Sequence, residues 1–308
     1  MKLKFNKITS AVAASLLFGV ASANAAVAVN DWTLDLTAIG GLGLTDVVTG
    51  IDQITFTGIA SANEVINVGG GTAGVIDVGD ISRVRGLLTG QNFLHDGGVI
   101  FGSGINSNYE LTFTFDVLSE IVAPLGPTQI KQTHLDSTDG RYGSTGSTGL
   151  LTIYIDSPNV GGGILPSNQA TGAGYIEDTA IATFRILGGL GGSFDPTTFN
   201  GSDDALFELV SALPGVILDA PGGNDLAAGS LLVATASQFD ADFNNDGVVD
   251  IACPTNGSIG SGAGTAASFC AQEDGRASLQ TVPEPASLAL VGLALAGFGA
   301  SRRWGRKL

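Results

Sequence analysis

The amino-acid sequence predicts an all-β protein, an antiparallel, jelly-roll-like β-sandwich with one or two short helices in its body. Three observations lead to this class. Apolar and polar residues alternate in several short segments, no regular helical spacer separates those segments, and the 46 glycines with few charges are typical of tight turns between strands. An N-terminal signal helix and a C-terminal transmembrane helix are predicted outside the body.

The clearest predicted strand runs from Tyr109 to Val117, where Leu111, Phe113 and Phe115 alternate with polar residues. A period of two places one face in a core and the other in water. Shorter segments with the same pattern are Trp32–Thr37, Gln53–Thr57, Leu150–Asp156, Ala180–Leu187 and Leu231–Ala236.

One segment predicts a helix instead. Asp203 and Asp204 precede the run Ala205–Leu213, whose leucines and valine share a helical face, and Pro214-Gly215 ends it. We expect this helix to close one end of the sandwich. Val160–Gly174 and Gly257–Gly264 are predicted loops.

The N-terminus has the three parts of a secretory signal peptide. Lys2, Lys4 and Lys7 precede an apolar stretch from Ala11 to Ala21, and Ala23-Asn24-Ala25 supplies a small-residue cleavage site. An amphipathic helix of the folded domain is the alternative, but Ile8–Ala23 has no charged face. Cleavage between Ala25 and Ala26 is therefore predicted.

Most of the negative charge belongs to the body of the chain. Of 13 Lys and Arg and 29 Asp and Glu, the body from residue 26 to 281 keeps six cations and 28 acids, a formal charge of −22. This charge repels phosphate backbones, so nucleic acid is excluded as a partner. Divalent cations and neutral polysaccharides fit the charge better.

The last 27 residues, Val282–Leu308, differ from the rest of the chain. They contain Pro283-Glu284-Pro285, an uncharged apolar run from Ala286 to Ala300, and four cations, namely Arg302, Arg303, Arg306 and Lys307. The run is shorter than about 20 residues, but the arginines that follow it favour a membrane segment with a cytoplasmic C-terminus over a buried core helix. The prolines hold Glu284 in an extended segment at the membrane face, where a processing enzyme can reach it.

This tail resembles the PEP-CTERM sorting signal of Gram-negative bacteria that make exopolysaccharide. The resemblance implies that a membrane-embedded exosortase, a cysteine transpeptidase-like enzyme, recognises the protein and processes it near Pro283-Glu284-Pro285. It implies export across the inner membrane, a transient C-terminal anchor, and then a place at the cell surface or in the extracellular matrix. The overall layout is similar to flocculation-associated PEP-CTERM proteins.

A calcium-type loop is predicted near the end of the body. Its oxygen donors, spaced as in the first part of a calcium loop around Gly247, are Asp242, Asn244, Asp246, the Val248 carbonyl and Asp250. Cys253 stands where an EF-hand has its bidentate Glu, so weak calcium binding is expected. The alternative is a hairpin turn built on Asn-Asp-Gly.

Cys253 and Cys270 are the two cysteines of the chain. An even pair in an exported protein predicts a disulfide. With the leader and the tail, these features divide the chain into a signal peptide (1–25), a β-sandwich body (26–237), a calcium-loop and disulfide segment (238–281) and a sorting signal (282–308).

The sequence contains few candidate catalytic residues. The two histidines, His95 and His134, lie in no hydrolase motif and are expected in a turn and an exposed loop. Two carboxylates suffice for a glycosidase, and the candidates are Glu110, Glu120, Glu177 and Glu208. The sequence therefore favours a non-catalytic matrix or cell-surface protein of biofilms or flocs. A secreted polysaccharide-active hydrolase or lyase is the alternative.

Overall fold

The computed structural model of the chain is an antiparallel all-β protein, which confirms the predicted class. It describes residues 27–67, 76–124, 129–157, 175–176, 179–220, 222–226, 231–242, 253 and 268–281. Within these residues the strands are β1 (Val27–Ala28), β2 (Trp32–Asp35), β3 (Val47–Ile51), β4 (Gln53–Ile66), β5 (Ile81–His95), β6 (Gly98–Val99), β7 (Glu110–Pro124), β8 (Ile130–His134), β9 (Leu150–Asp156), β10 (Thr179–Leu187), β11 (Gly192–Asp195), β12 (Asn200–Ala212), β13 (Ile217–Leu218), β14 (Leu231–Asp240) and β15 (Ser268–Thr281).

Two short helices occur in the described residues. One is a 3-10 helix, Leu36–Ala38. At its start the Asp35 carboxylate accepts a hydrogen bond from the Thr37 amide at 3.0 Å. The other is α1 (Arg141–Thr145), which ends at Gly146 in the left-handed conformation. The number of short helices agrees with the prediction, although neither lies where the sequence pattern placed one.

The predicted helix Ala205–Leu213 is wrong, because this segment belongs to strand β12. Ala205 and Phe207 are buried, whereas Leu206 between them is only half-buried, which is the period of a strand. β12 pairs with β10 on one side and β14 on the other. The paired backbone and the buried alternate face outweigh a local helical pattern.

The main sheet closes on itself through eight strands. Hydrogen-bonded neighbours run in the order β7, β9, β10, β12, β14, β15, β4, β5 and back to β7. The side chains inside this circuit form the main core, with Phe56, Phe113, Phe184 and Phe207 among its buried members. A closed circuit leaves no free edge along these eight strands.

The sheet branches between β7 and β12. β9 and β10 connect the first half of β7 to the second half of β12. β8 and β11 connect the second half of β7 to the first half of β12. A separate three-stranded sheet, in the order β13, β2, β3, packs its apolar residues into the same core. Ser119, His134 and Asp203 lie at this branch.

By contacts the chain divides into two compact units. One is Val29–Leu279, which contains the sandwich, and the other comprises Met1–Ala28 with Gln280–Leu308. The described part of the second unit is the pairing of Val27 with Thr281 and of Ala28 with Gln280. The predicted signal peptide and the sorting signal lie outside the described residues.

A disulfide joins Cys253 to Cys270, 17 residues apart in sequence. Cys270 is buried beside Ile59, Leu87 and Tyr175, so the bond connects strand β15 to the chain at residue 253. In the chain-entropy model, closing a loop of this length raises the free energy of the unfolded chain by about 3 kcal/mol.

Removing this disulfide is expected to lower the free energy of unfolding by about 2–5 kcal/mol. The double variant Cys253→Ala, Cys270→Ala and the reduced wild-type protein should both unfold at a lower urea concentration than the oxidised protein. Equilibrium unfolding followed by tryptophan fluorescence measures the three midpoints. Equal midpoints for oxidised and reduced wild-type protein would contradict the prediction.

Candidate functional site

Four polar side chains meet inside the sandwich at the branch of the sheet. Ser119 of β7 and His134 of β8 are register partners, and Ser119 Oγ lies 2.9 Å from His134 Nδ1. His134 Nε2 lies 2.8 Å from the Asp203 Oδ2 atom on β12. Glu273 of β15 is buried nearby and interacts electrostatically with both His134 and Asp203. We call Ser119, His134, Asp203 and Glu273 the buried polar cluster.

Strand geometry explains why these four residues meet. Asp203 is on the same face of β12 as Ala205 and Phe207, and Glu273 is on the same face of β15 as Phe269 and Ala271. Alternation along each strand therefore directs these acids inward with their apolar neighbours. The shared interior face brings residues far apart in sequence into contact.

Burial and charge shift the pKa values of the cluster. Burial lowers the pKa of His134, but the carboxylate and hydrogen bond of Asp203 raise it, and the pKa is raised on balance. Burial also raises the pKa of Glu273 to about 7, against the lowering effect of a hydrogen bond from Ser237. A protonated His134 donates to Ser119 through Nδ1 and to Asp203 through Nε2.

The cavities beside the cluster are small. One, of about 50 Å³, is lined by Asp203, Glu273 and the rings of Phe194, Phe239 and Phe269. A second, of about 30 Å³, also reaches His134. Volumes of this size hold a few water molecules, whereas ligand pockets measure about 300–1,000 Å³.

The aromatic side chains at the larger cavity contact one another. The Phe194 and Phe269 rings stack with centroids 4.9 Å apart, and Phe239 stacks on Phe194 at 5.9 Å. Their faces are therefore covered by neighbouring rings. The Ser119–His134–Asp203 relay resembles that of a hydrolase in composition, but the Ser119 hydroxyl is fully buried. The cluster links β7, β8 and β12 through hydrogen bonds, and Glu273 of β15 interacts with His134 and Asp203 electrostatically.

The glycosidase candidates among the glutamates have different surroundings. Glu120 accepts a hydrogen bond from Arg141 at 3.0 Å, and Glu208 accepts one from Arg185 at 2.8 Å. Glu110 is buried and lies opposite the buried Asp156 in the pairing of β7 with β9. Glu177 lies outside the described residues.

The predicted calcium loop is described at its first position. Asp242 is fully buried, and its amide donates to the Asp240 Oδ1 atom at 3.1 Å. Asn244, Asp246, Val248 and Asp250 lie outside the described residues, as do the predicted cleavage and sorting residues, namely Ala25, Ala26, Pro283, Glu284, Pro285, Arg302 and Arg303. Calcium binding thus stays a prediction.

Sequence reasoning missed the buried polar cluster. His134 was expected in an exposed loop, but it ends strand β8 and its side chain is fully enclosed. In a strand, Asp203 shares a face with Ala205 and Phe207, so a strand prediction for this segment also predicts an inward-facing Asp203. The contact between His134 and Asp203, 69 residues apart, depends on the branched topology.

No helix within the described ranges is long and apolar enough to cross a membrane. Residues 281–303 match the family model of the PEP-CTERM protein-sorting motif. No curated protein and no solved structure matches the chain significantly. The motif covers Pro283-Glu284-Pro285, the apolar run and the first two arginines of the tail. The chain therefore carries a PEP-CTERM sorting motif, which indicates an exported protein that is processed through an exosortase.

Proposed function

We propose that this protein is a non-catalytic component of the extracellular matrix or cell surface of a Gram-negative bacterium and contributes to biofilm or floc structure. The observation that carries the proposal is the sorting motif at residues 281–303, which follows the β-sandwich body in sequence, and two cavities of that body measure about 50 and 30 Å³. Cavities of this size are smaller than typical ligand pockets, which measure about 300–1,000 Å³. The export route and the closed sandwich suit a protein that acts through its outer surface.

The charge of the body supports an extracellular, cation-dependent role. Residues 26–281 contain 28 acidic side chains and only six basic ones. Three of those cations, Arg83, Arg141 and Arg185, are already paired with carboxylates of the same chain. The outer surface is therefore strongly negative, and divalent cations are the natural bridge between it and extracellular polysaccharide.

A secreted polysaccharide hydrolase or lyase is the competing proposal. Its support is the register of Glu110 opposite Asp156, which puts two carboxyl groups on neighbouring strands at a spacing of about 5 Å between Cβ atoms. A glycosidase acts through such a pair of neighbouring carboxyl groups. Both residues are buried, with 2% and 0% of their surface exposed, which disfavours contact with a polymer.

A deletion strain tests the two proposals together. Loss of the gene should reduce aggregation and polysaccharide retention, and both the wild-type chain and a Glu110→Gln variant should restore them. The purified protein should release no new reducing ends or unsaturated sugars from the strain's own polysaccharide. Normal aggregation in the deletion strain would contradict the structural role, and depolymerisation that Glu110→Gln abolishes would establish the enzyme.

Calcium is expected to bind Asp242, Asn244, Asp246, the Val248 carbonyl and Asp250. Every donor in this loop is oxygen, and extracellular modules of this kind bind at about 10⁻⁴ to 10⁻³ M. Calcium should therefore raise the thermal midpoint of the purified protein by mass action. An Asp242→Ala, Asp246→Ala double variant should lose this response. If calcium affects variant and wild type equally, or neither, the segment is a turn without a calcium site.

A further inference from the structure

A second group of metal-ligand side chains lies outside the buried polar cluster and the predicted calcium loop. Asp31 precedes β2, Asp52 lies between β3 and β4, and His95 is the last residue of β5. His95 and Asp31 are well exposed, whereas the Asp52 side chain is 17% exposed. We call these three residues the Asp31 site.

The ligand atoms of the Asp31 site converge. His95 Nδ1 lies 3.2 Å from Asp31 Oδ1 and 3.7 Å from Asp52 Oδ2, and the three atoms lie within 4.8 Å of one another. Donor atoms held about 2.1 Å from a tetrahedral zinc ion are about 3.4 Å apart. The two nitrogen-to-oxygen distances bracket that value, so one ion can contact all three residues after small side-chain movements.

Backbone hydrogen bonds hold the Asp52 carboxylate in place. The amide of Asp31 donates to Oδ1 at 3.0 Å, and the amide of Asp96 donates to Oδ2 at 2.7 Å. The anchored carboxylate and the residues that donate to it are therefore positioned before any ion binds.

Asp96, the next residue in the chain, places a carboxylate near the other ring nitrogen of His95. Asp96 Oδ2 lies 3.6 Å from His95 Nε2, on the side of the ring opposite Asp31 and Asp52. When Nδ1 of a neutral histidine binds a metal, Nε2 carries the proton, and a carboxylate on that side favours this tautomer. The site thus offers a nitrogen donor, two carboxylates and an acid behind the imidazole.

We propose that the Asp31 site binds a first-row divalent transition-metal ion, with zinc as the representative. An imidazole nitrogen with two carboxylates suits zinc, whereas calcium and magnesium prefer ligand sets made of oxygen alone. Three protein ligands leave at least one position open to water or to an oxygen donor outside the chain. The Asp31 site is thus chemically distinct from the oxygen-only loop at residues 242–250.

Calorimetric titration of the purified full chain with zinc chloride tests the proposal. The wild-type protein should bind one zinc ion that His95→Ala and Asp31→Asn each weaken at least about tenfold. Asn tolerates the left-handed backbone of Asp31, whose φ is 60°, so this variant removes one charge with little strain. Circular dichroism of each variant checks that the sandwich remains folded.

Glu64→Gln is the matched control, because Glu64 lies near the far end of β4 from Asp52 and loses the same charge. It should bind zinc as the wild type does, and the calcium response should be the same in all four proteins. Wild-type zinc affinity in His95→Ala would overturn the proposal and leave the Asp31 site as a group of surface side chains without a metal. Absence of zinc binding by the wild type would overturn it as well.

Discussion

Replacing Pro283, Glu284 and Pro285 together with alanine is expected to leave the protein in the membrane as an unprocessed precursor. Prolines lack amide donors and disfavour a helix, so the sequence predicts an extended segment here, and alanines in its place are expected to favour a helix through the processing region. The exosortase then loses both the motif it recognises and an accessible backbone. Cell fractionation and immunoblotting should show nearly all of the variant in the membrane fraction.

The arginines at the end of the tail supply a second, separable test. Arg302→Glu, Arg303→Glu should disturb membrane orientation, because the cytoplasmic preference of the tail depends on its cations. Replacing both residues with lysine keeps the charge and should preserve normal processing, which makes it the matched control.

Release into the medium of the variant with alanine at Pro283, Glu284 and Pro285, at the wild-type level, would refute the role of the motif.

Glu273 is expected to make the stability of the sandwich depend on pH near neutrality. The pKa of this buried carboxyl group is raised from 4.5 to about 7 in the folded protein. A raised carboxyl pKa stabilises the fold below the unfolded pKa, and this stability is lost as pH rises through the folded value. Between about pH 5 and pH 8 the free energy of unfolding should fall by about 3 kcal/mol.

His134 acts in the same direction, because its folded pKa is raised as well and its stabilisation is lost as pH rises through that value. Asp139, whose pKa is lowered to about 2, loses its stabilisation only in acid, outside this window. Glu273→Gln should therefore flatten the pH dependence and gain stability relative to wild type at pH 8. Glu64→Gln is the surface control.

Urea unfolding at about pH 5, 6.5 and 8 measures these effects. The difference between wild type and Glu273→Gln should grow with pH, because only the wild-type residue must bury a charge at high pH. A difference that is the same at all three pH values would show that Glu273 is neutral, or charged, throughout and would refute the assignment.

The alternation of side chains predicted the all-β class because it reports directly on which residues are buried. Leu111 and Phe113 are buried in β7, as the period of two required, but Glu110 and Thr112 on the opposite face are buried as well, so that face is not in water here. The same signal was overlooked in β12, where Leu206, Leu209 and Leu213 also fit a helical face. Glu208, in the middle of that segment, pairs across the sheet with Arg185, and such a cross-strand partner is not visible in a local pattern.

The internal polar contacts depended on topology and were not predictable from local sequence. His134 and Asp203 meet because β8 and β11 form a branch between β7 and β12. Likewise, Asp31, Asp52 and His95 converge only when the ends of β3 and β5 are placed together. The tail was the opposite case, since its motif is contiguous in sequence and identified the sorting route by itself.

Mass spectrometry of the intact extracellular protein tests most directly whether the chain follows the exosortase route. The main species should begin at Ala26 and lack the apolar run Ala286–Ala300 together with the arginines that follow it. Processing near Pro283-Glu284-Pro285 is expected to remove that segment and to leave the sandwich and its disulfide intact. A main extracellular species that still ends at Leu308 would contradict the account.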